Sequence, residues 1–272
     1  MTASSEAHHT HYDRLYQTFD SPLMQRVRRE AYAQDIGQNS WVSAEEMEQA
    51  IGRLNLRSSS RLLDLGCGPG GPLTFVVARV GCVAIGIDIS SPAIESARER
   101  ATSLGLAELI DFRVTNLNEP IPCESASFDA VMSMDVVIHL RDRVAAFREV
   151  WRILTRGGRF LFADAGIVTG PLSSEEIQRR ALRGFTQLVP PGYNERALEL
   201  AGFRLIEVQD RTPGLLENAG GRLAARAAHR VELEAMEGQT RFEDEQRLLE
   251  TVVALAGRGA LSRMMFLAEC GA

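Results

Sequence analysis

No apolar run in the chain approaches the roughly 20 residues that a bilayer-spanning helix needs, so a helical membrane protein is excluded. The first ten residues are polar and histidine-containing, and no secretory signal is expected there. Cysteine is scarce: Cys67, Cys82, Cys123 and Cys270 are scattered without a C-x-x-C pair, which argues against a zinc ribbon or a disulfide scaffold. Each lies in or close to an apolar segment, as reduced thiols of a cytoplasmic protein do. A basic excess is also lacking, since 30 Lys+Arg stand against 36 Asp+Glu for a net charge of −6. A phosphate backbone needs a concentrated basic face, so nucleic acid is not the expected partner. What remains is ordinary globular material, 272 residues with 45% apolar, 24% charged and 6% aromatic side chains. The length allows one large domain or two small ones.

The pattern alternates strands and helices. Tyr12, Leu15, Tyr16 and Phe19 space out one stripe of a short helix, and Asp20-Ser-Pro opens another. Ser43-Ala-Glu-Glu is a capping box for a helix to Leu54. Strands are predicted at Arg61–Leu65, Val83–Asp88, Ile110–Val114, Ala130–Met134 and Arg159–Ala163, with helices over Leu73–Val80, Ser91–Leu104 and Asp142–Leu154. Further on, 167–188 is polar and helix-prone, Tyr193–Ala201 reads as a helix and Phe203–Val208 as a sixth strand. Two helices are expected in 215–258, and Leu261–Glu269 is a final strand. Such alternation specifies an α/β fold whose parallel sheet is covered on both faces. No repeat or linker divides the chain, so 1–272 is expected to be a single domain. Within it, 1–57 forms an N-terminal helical lid segment, 58–166 a cofactor-binding core, 167–192 and 211–260 helical lid insertions, and 193–210 with 261–272 the remaining core.

Chemistry is concentrated where strands end. Asp64-Leu-Gly-Cys-Gly-Pro-Gly-Gly follows a strand and precedes a helix, where glycines admit a ligand close to the backbone and the helix start offers unpaired N–H groups. Asp88, about 20 residues on, ends the next strand, where a carboxylate accepts from both hydroxyls of a ribose. Gly66, Gly68 and Gly71 also satisfy G-x-G-x-x-G, which leaves an NAD-dependent oxidoreductase as the rival reading. Asp64, two residues before the first glycine, tilts against it: it would repel a pyrophosphate and welcome an amino group.

Arg61-Leu-Leu-Asp-Leu-Gly-Cys-Gly-Pro-Gly, Gly86-Ile-Asp88, Ser127-Phe-Asp-Ala-Val131 and Leu154-Thr-Arg-Gly-Gly-Arg-Phe together resemble class I S-adenosylmethionine-dependent methyltransferases, from about Gln34 to Glu269. Gly70-Gly-Pro72, the Tyr32-to-Trp41 lead-in and the Asp135…His139 pair carry a narrower likeness. It is to the small-molecule branch of phosphoethanolamine, sarcosine/dimethylglycine and sterol or tocopherol methyltransferases, which includes natural-product enzymes. The resemblance implies a doubly wound sheet of seven strands in the order 3-2-1-4-5-7-6 with the last antiparallel. It also implies methyl transfer from S-adenosylmethionine to N, O or C of a small metabolite, leaving S-adenosylhomocysteine, with no metal. A cofactor-binding protein without turnover is the third reading.

Carried over by the resemblance, Gly66 and Gly68 line the methionine and ribose, Asp64 holds the amino group, and Asp88 binds the ribose hydroxyls. Ile89 packs on the adenine face and Asn116-Leu117 flanks it, with an asparagine oxygen where the family usually has an acid. Met134 lies near the methionine moiety, and Tyr32, Trp41 and Val42 belong to the segment that closes over the cofactor. Asp135 and His139 follow the fourth strand, where acceptors approach, and are the catalytic candidates. An imidazole with an ordinary pKa of about 6.5 suits proton removal. The tyrosine that partners this histidine in phosphoethanolamine enzymes falls near Met24, and the one after their fifth strand is Ala165, which disfavours phosphoethanolamine as the acceptor. Tyr12 and Tyr16 are the N-terminal replacements on offer. His8, His9 and His11 are expected to be a frayed terminus, and Arg179, Arg180 and Arg183 a solvated face. The cysteines lack the grouping that arsenite methylation needs.

Overall fold

The computed structural model describes residues 11–181 and 186–271, so His8, His9 and Arg183 lie outside the described residues. Among those residues seven strands form one sheet: β1 Arg61–Leu65, β2 Val83–Asp88, β3 Ile110–Val114, β4 Phe128–Met134, β5 Leu154–Val168, β6 Phe203–Asp210 and β7 Leu261–Cys270. Their order is β3-β2-β1-β4-β5-β7-β6. Strands β1 to β5 pair in parallel, and β7 runs antiparallel to both β5 and β6. The implied topology is borne out.

The helices are α1 Pro22–Ala31, α2 Ala44–Arg53, α3 Gly71–Val80, α4 Ser91–Ser103, α5 Arg143–Ile153, α6 Ser174–Arg180, α7 Tyr193–Leu200, α8 Thr212–Ala228, α9 Arg230–Glu237 and α10 Gln239–Gly257. Successive strand residues feed opposite faces, as the two-residue repeat requires. Leu62, Met132 and Leu161 join one buried cluster with Met47 of α2 and Ile94 of α4. Leu63, Val131, Phe160 and Phe162 join the other with Phe147 and Val150 of α5. Both faces are therefore covered, which is why the strands read as near-continuous apolar runs. The second face is aromatic, with Phe162 stacked on Phe266 at 4.8 Å between centroids.

Three expectations change. Strand β5 extends beyond Arg159–Ala163 at both ends: Leu154 pairs with Phe128 across an irregularity in which Gly157 has φ 75°, and Ile167 and Val168 pair with Ser262 and Leu261. A bulge in β5 between Asp164 and Ile167 faces the part of β7 that holds Arg263. Residues 215–258 lie in three helices rather than two, broken at His229 and at Gly238, whose φ is 86°. Among the described residues of the helix-prone 167–188, the helix α6 occupies Ser174–Arg180. Helices α8 to α10 pack on the N-terminal region: Ala225, Leu233 and Phe242 cluster with Val27, Ala31 and Tyr32. A side chain at Gly221 would meet the Ala31 carbonyl at 2.1 Å, so glycine permits that approach.

Candidate active site

A cavity lies at the carboxyl ends of β1, β2 and β4, the place where doubly wound sheets bind ligands. Counted out to its mouth it holds about 1320 Å³ of empty space. The chain turns out of β1 because Gly66 and Cys67 both donate their N–H to the Ile87 carbonyl, at 2.7 and 3.0 Å. Gly66 has φ 74°, and a Cβ there would lie 2.4 Å from Val136, so no other residue fits without displacing the β4 exit.

The carboxylates of the site are under unlike constraints. Asp88 accepts from the Gly68 and Ser90 backbone N–H groups, both at 2.9 Å, which ties the glycine loop to the tip of β2. Burial raises its pKa, and those N–H groups partly counter the effect. Asp64 is 2% exposed, and burial, reinforced by the charge of Asp88, pushes its carboxyl up to about 8. A pyrophosphate here would therefore meet a mostly neutral acid rather than a charged one. The same burial raises the Cys67 thiol, which stays protonated and inert between the two glycines. Ser40 contributes a buried hydroxyl to the cavity lining with no hydrogen-bond partner. An acid held in its neutral form and an orphaned hydroxyl in one cavity call for a ligand bearing an ammonium and an acceptor group. The amino-acid end of S-adenosylmethionine has both, and the residues present fit it.

Of the expected cofactor contacts, Asp64, Gly66, Gly68, Asp88, Ile89, Asn116, Leu117, Met134 and Trp41 all line this cavity. The Asn116 oxygen also accepts from Asn118 N–H at 3.1 Å, and its amide donates to Glu119 at 3.1 Å. Tyr32 and Val42 do not line it, which corrects their expected place. Tyr32 packs among Ala31, Ala225 and Leu233 and donates its hydroxyl to Ser40 O, so it shapes the segment from behind. Val42 is fully buried against Met47 and Leu73. Three consecutive residues of this irregular stretch, Asn39, Ser40 and Trp41, line the cavity instead. Serine is too common in loops to have drawn notice.

The acceptor end gathers His139, Asp135, Ile138, Ala165, Arg180 and Thr186. His139 ends a 3-10 turn over Val137–His139, and its Nε2 lies 3.1 Å from the Tyr12 hydroxyl. Tyr12 stacks on Tyr16 at 6.0 Å, and the Tyr16 hydroxyl accepts from Asn39 at 3.3 Å. Burial, then the nearby Asp88, raises the Tyr16 pKa and keeps that phenol neutral. Met24 belongs to the α1 cluster instead. Arg179 pairs with exposed Glu175, as a solvated face does, but Arg180 is 7% exposed, donates to the Ala165 carbonyl at 3.3 Å and lines the cavity. His11 lies 3.7 Å from Glu245. No cavity-lining residue comes from 211–260, so those helices do not cover the acceptor end directly.

Comparison with known proteins matches residues 63–162 to the family described as methyltransferase domain. Methyltransferase GfsG of Streptomyces halstedii is 31% identical over 173 residues, which cover 64% of this chain and 56% of the relative. The chain thus spans little more than half the length of that curated relative. Among solved structures, a putative sarcosine dimethylglycine methyltransferase from Galdieria sulphuraria superposes with a TM-score of 0.73 at 22% identity, covering 84% of each chain. The 4+2 cyclase SpnF superposes with a TM-score of 0.77 at 19% identity, over 96% of this chain and 97% of that one. The fold is that of the class I methyltransferases, and residues 63–162 match the methyltransferase-domain model. The resemblance read from the motifs of β1, β2, β4 and β5 is borne out.

Proposed function

We propose that the protein transfers a methyl group from S-adenosylmethionine to a small-molecule acceptor, with His139 as the proton-accepting group. The observation that carries this is one cavity that holds Asp64, the partnerless Ser40 hydroxyl and the Asp88-tied glycine loop together with His139 and Tyr12. Asp64 would hold the ammonium, Ser40 the carboxylate and Asp88 the ribose hydroxyls. Ile89 and Leu117 would flank the adenine, whose amino group Asn116 faces. When bound, S-adenosylmethionine supplies an electrophilic sulfonium methyl group.

The chain's own part is orientation, exclusion of water and removal of one proton. Trp41 and Tyr16 roof the cavity from the N-terminal side. Tyr12 aligns His139 through Nε2, and that nitrogen takes the acceptor's proton directly or along the Tyr12 hydroxyl. Ala165, where a tyrosine would stand in phosphoethanolamine enzymes, leaves the acceptor end roomier and less polar, which supports a bulkier metabolite of the natural-product kind. The four cysteines are free thiols, in keeping with action in the cytoplasm. No helix among the described residues is long and apolar enough to cross a membrane.

Thermal denaturation tests the reading. S-adenosylhomocysteine should raise the melting temperature, and NAD should not. Asp88→Ala should weaken S-adenosylhomocysteine binding by about 1.5–3 kcal/mol, the scale of a hydrogen bond to a charged group. Stabilisation by NAD alone would replace the methyltransferase reading with the oxidoreductase one.

A further inference from the structure

Asp135 sits at the lip of the cavity, yet both of its carboxylate oxygens are already used. Oδ1 accepts from Arg263 Nε at 2.8 Å, and Oδ2 accepts from the backbone N–H of Trp41 at 3.0 Å. Its side chain is 6% exposed, and its φ of 62° is a left-handed conformation that aspartate tolerates better than most residues. Arg263 is fully buried opposite the β5 bulge and spans outward from β7. Its Nη1 donates to both oxygens of Glu46, at 3.0 and 2.9 Å, and Glu46 closes the capping box of α2 on Ser43. One guanidinium therefore fixes both ends of the stretch 41–46. Burial alone would lower the Arg263 pKa, but the charges of Asp135 and Glu46 more than offset that and keep it protonated. The Trp41 peptide is gripped from its other side too. Asn218 of α8 donates to the Trp41 carbonyl at 2.7 Å, and Arg222 lies 4.9 Å over the indole ring.

We propose that Asp135 is a positioning residue, which acts through Trp41 to hold the segment Asn39–Trp41 over the cavity and does not itself engage the acceptor. Ser40 and Asn39 ride on that segment, so a loose Trp41 peptide misplaces the ligand-facing hydroxyl and the partner of Tyr16 together. Asn218 shares the task from outside the cavity, which gives the helices of 211–260 a function at the site without lining it. The cofactor readout below rests on the reading proposed above; the fluorescence readout does not.

The test uses a Trp151→Phe background, in which Trp41 is the remaining tryptophan. An asparagine at 135 has one acceptor oxygen for two separated donors, so Asp135→Asn should release the Trp41 N–H. In the free protein, Trp41 emission should shift to the red and become more accessible to acrylamide. S-adenosylhomocysteine affinity by calorimetry should fall roughly tenfold, the scale of one hydrogen bond to a charged group. Asn218→Ala should produce the same two changes, and the double variant should lose little more than either single one, because both act on one peptide. Unchanged emission and affinity in Asp135→Asn, or fully additive losses in the double variant, would overturn the proposal. Should Asp135→Asn fail to fold, Asn218→Ala alone decides by the same two readouts. If the parent protein binds no S-adenosylhomocysteine, the functional reading fails, and Trp41 emission still tests the positioning.

Discussion

Asp64 has the most perturbed acid of the cavity, and its titration is a direct handle on the ligand. In the free protein the carboxyl titrates at about 8, so at neutral pH it carries a proton. An ammonium beside it favours the ionised form. Binding of S-adenosylhomocysteine near pH 7 should therefore release close to one proton. The check is calorimetry in buffers of differing ionisation enthalpy, and affinity should rise with pH up to about 8. The sign for stability runs the other way. The folded state keeps a proton that the unfolded chain loses above the ordinary carboxyl range, so the free protein should lose stability as pH climbs toward 8. Asp64→Asn should flatten that dependence in pH-scanned melting. At the other end of the cavity, His139→Ala should lower turnover about 10²–10⁴-fold with little change in cofactor affinity. Tyr12→Phe, which keeps the imidazole, should cost less. Turnover that falls at low pH in the parent and is wild-type at every pH in His139→Ala would reduce His139 to a turn residue. Asp64 and Asp88 are legible in the sequence because each sits at a strand end, where a regular topology dictates its position. The inward places of Asn39 and Ser40 are not legible there, because they lie in an irregular segment whose inward and outward faces follow no period.

At the scale of elements, the glycine loop and the buried ion pairs are the joints. Gly66→Ala should be strongly destabilising and should abolish ligand-induced stabilisation, since the added carbon strikes Val136 in a conformation alanine disfavours. Arg143 and Asp164 form a fully buried pair at 2.6 Å, joined by Asn194 of α7. Arg143 also donates to the Gln187 carbonyl at 2.8 Å and so anchors the chain beside Thr186 at the acceptor end. Arg143→Met leaves Asp164 buried without its cation and should cost about 3–5 kcal/mol in urea denaturation. Sequence pattern located every strand, and the Ser43 capping box formed as read. It missed the length of β5 and the break at Gly238, because sheet pairing and a single positive φ are decided by partners distant in sequence.

Across the whole molecule, every one of the 30 basic side chains is arginine and none is lysine. The guanidinium's five donors suit it to buried, branching contacts, and Arg143 and Arg263 each tie together elements far apart in the chain. The C-terminal helices, the N-terminal segment and the sheet thus meet at the Trp41 peptide. That convergence places a roof made by Tyr12, Tyr16 and the stretch Asn39–Trp41 over a floor made by the strand tips. A crystal structure of the complex with S-adenosylhomocysteine tests this arrangement most directly. It should show the amino nitrogen on Asp64, the ribose hydroxyls on Asp88 and the sulfur facing His139 and Tyr12. A ligand seated elsewhere, or a sulfur walled off from His139, would contradict it.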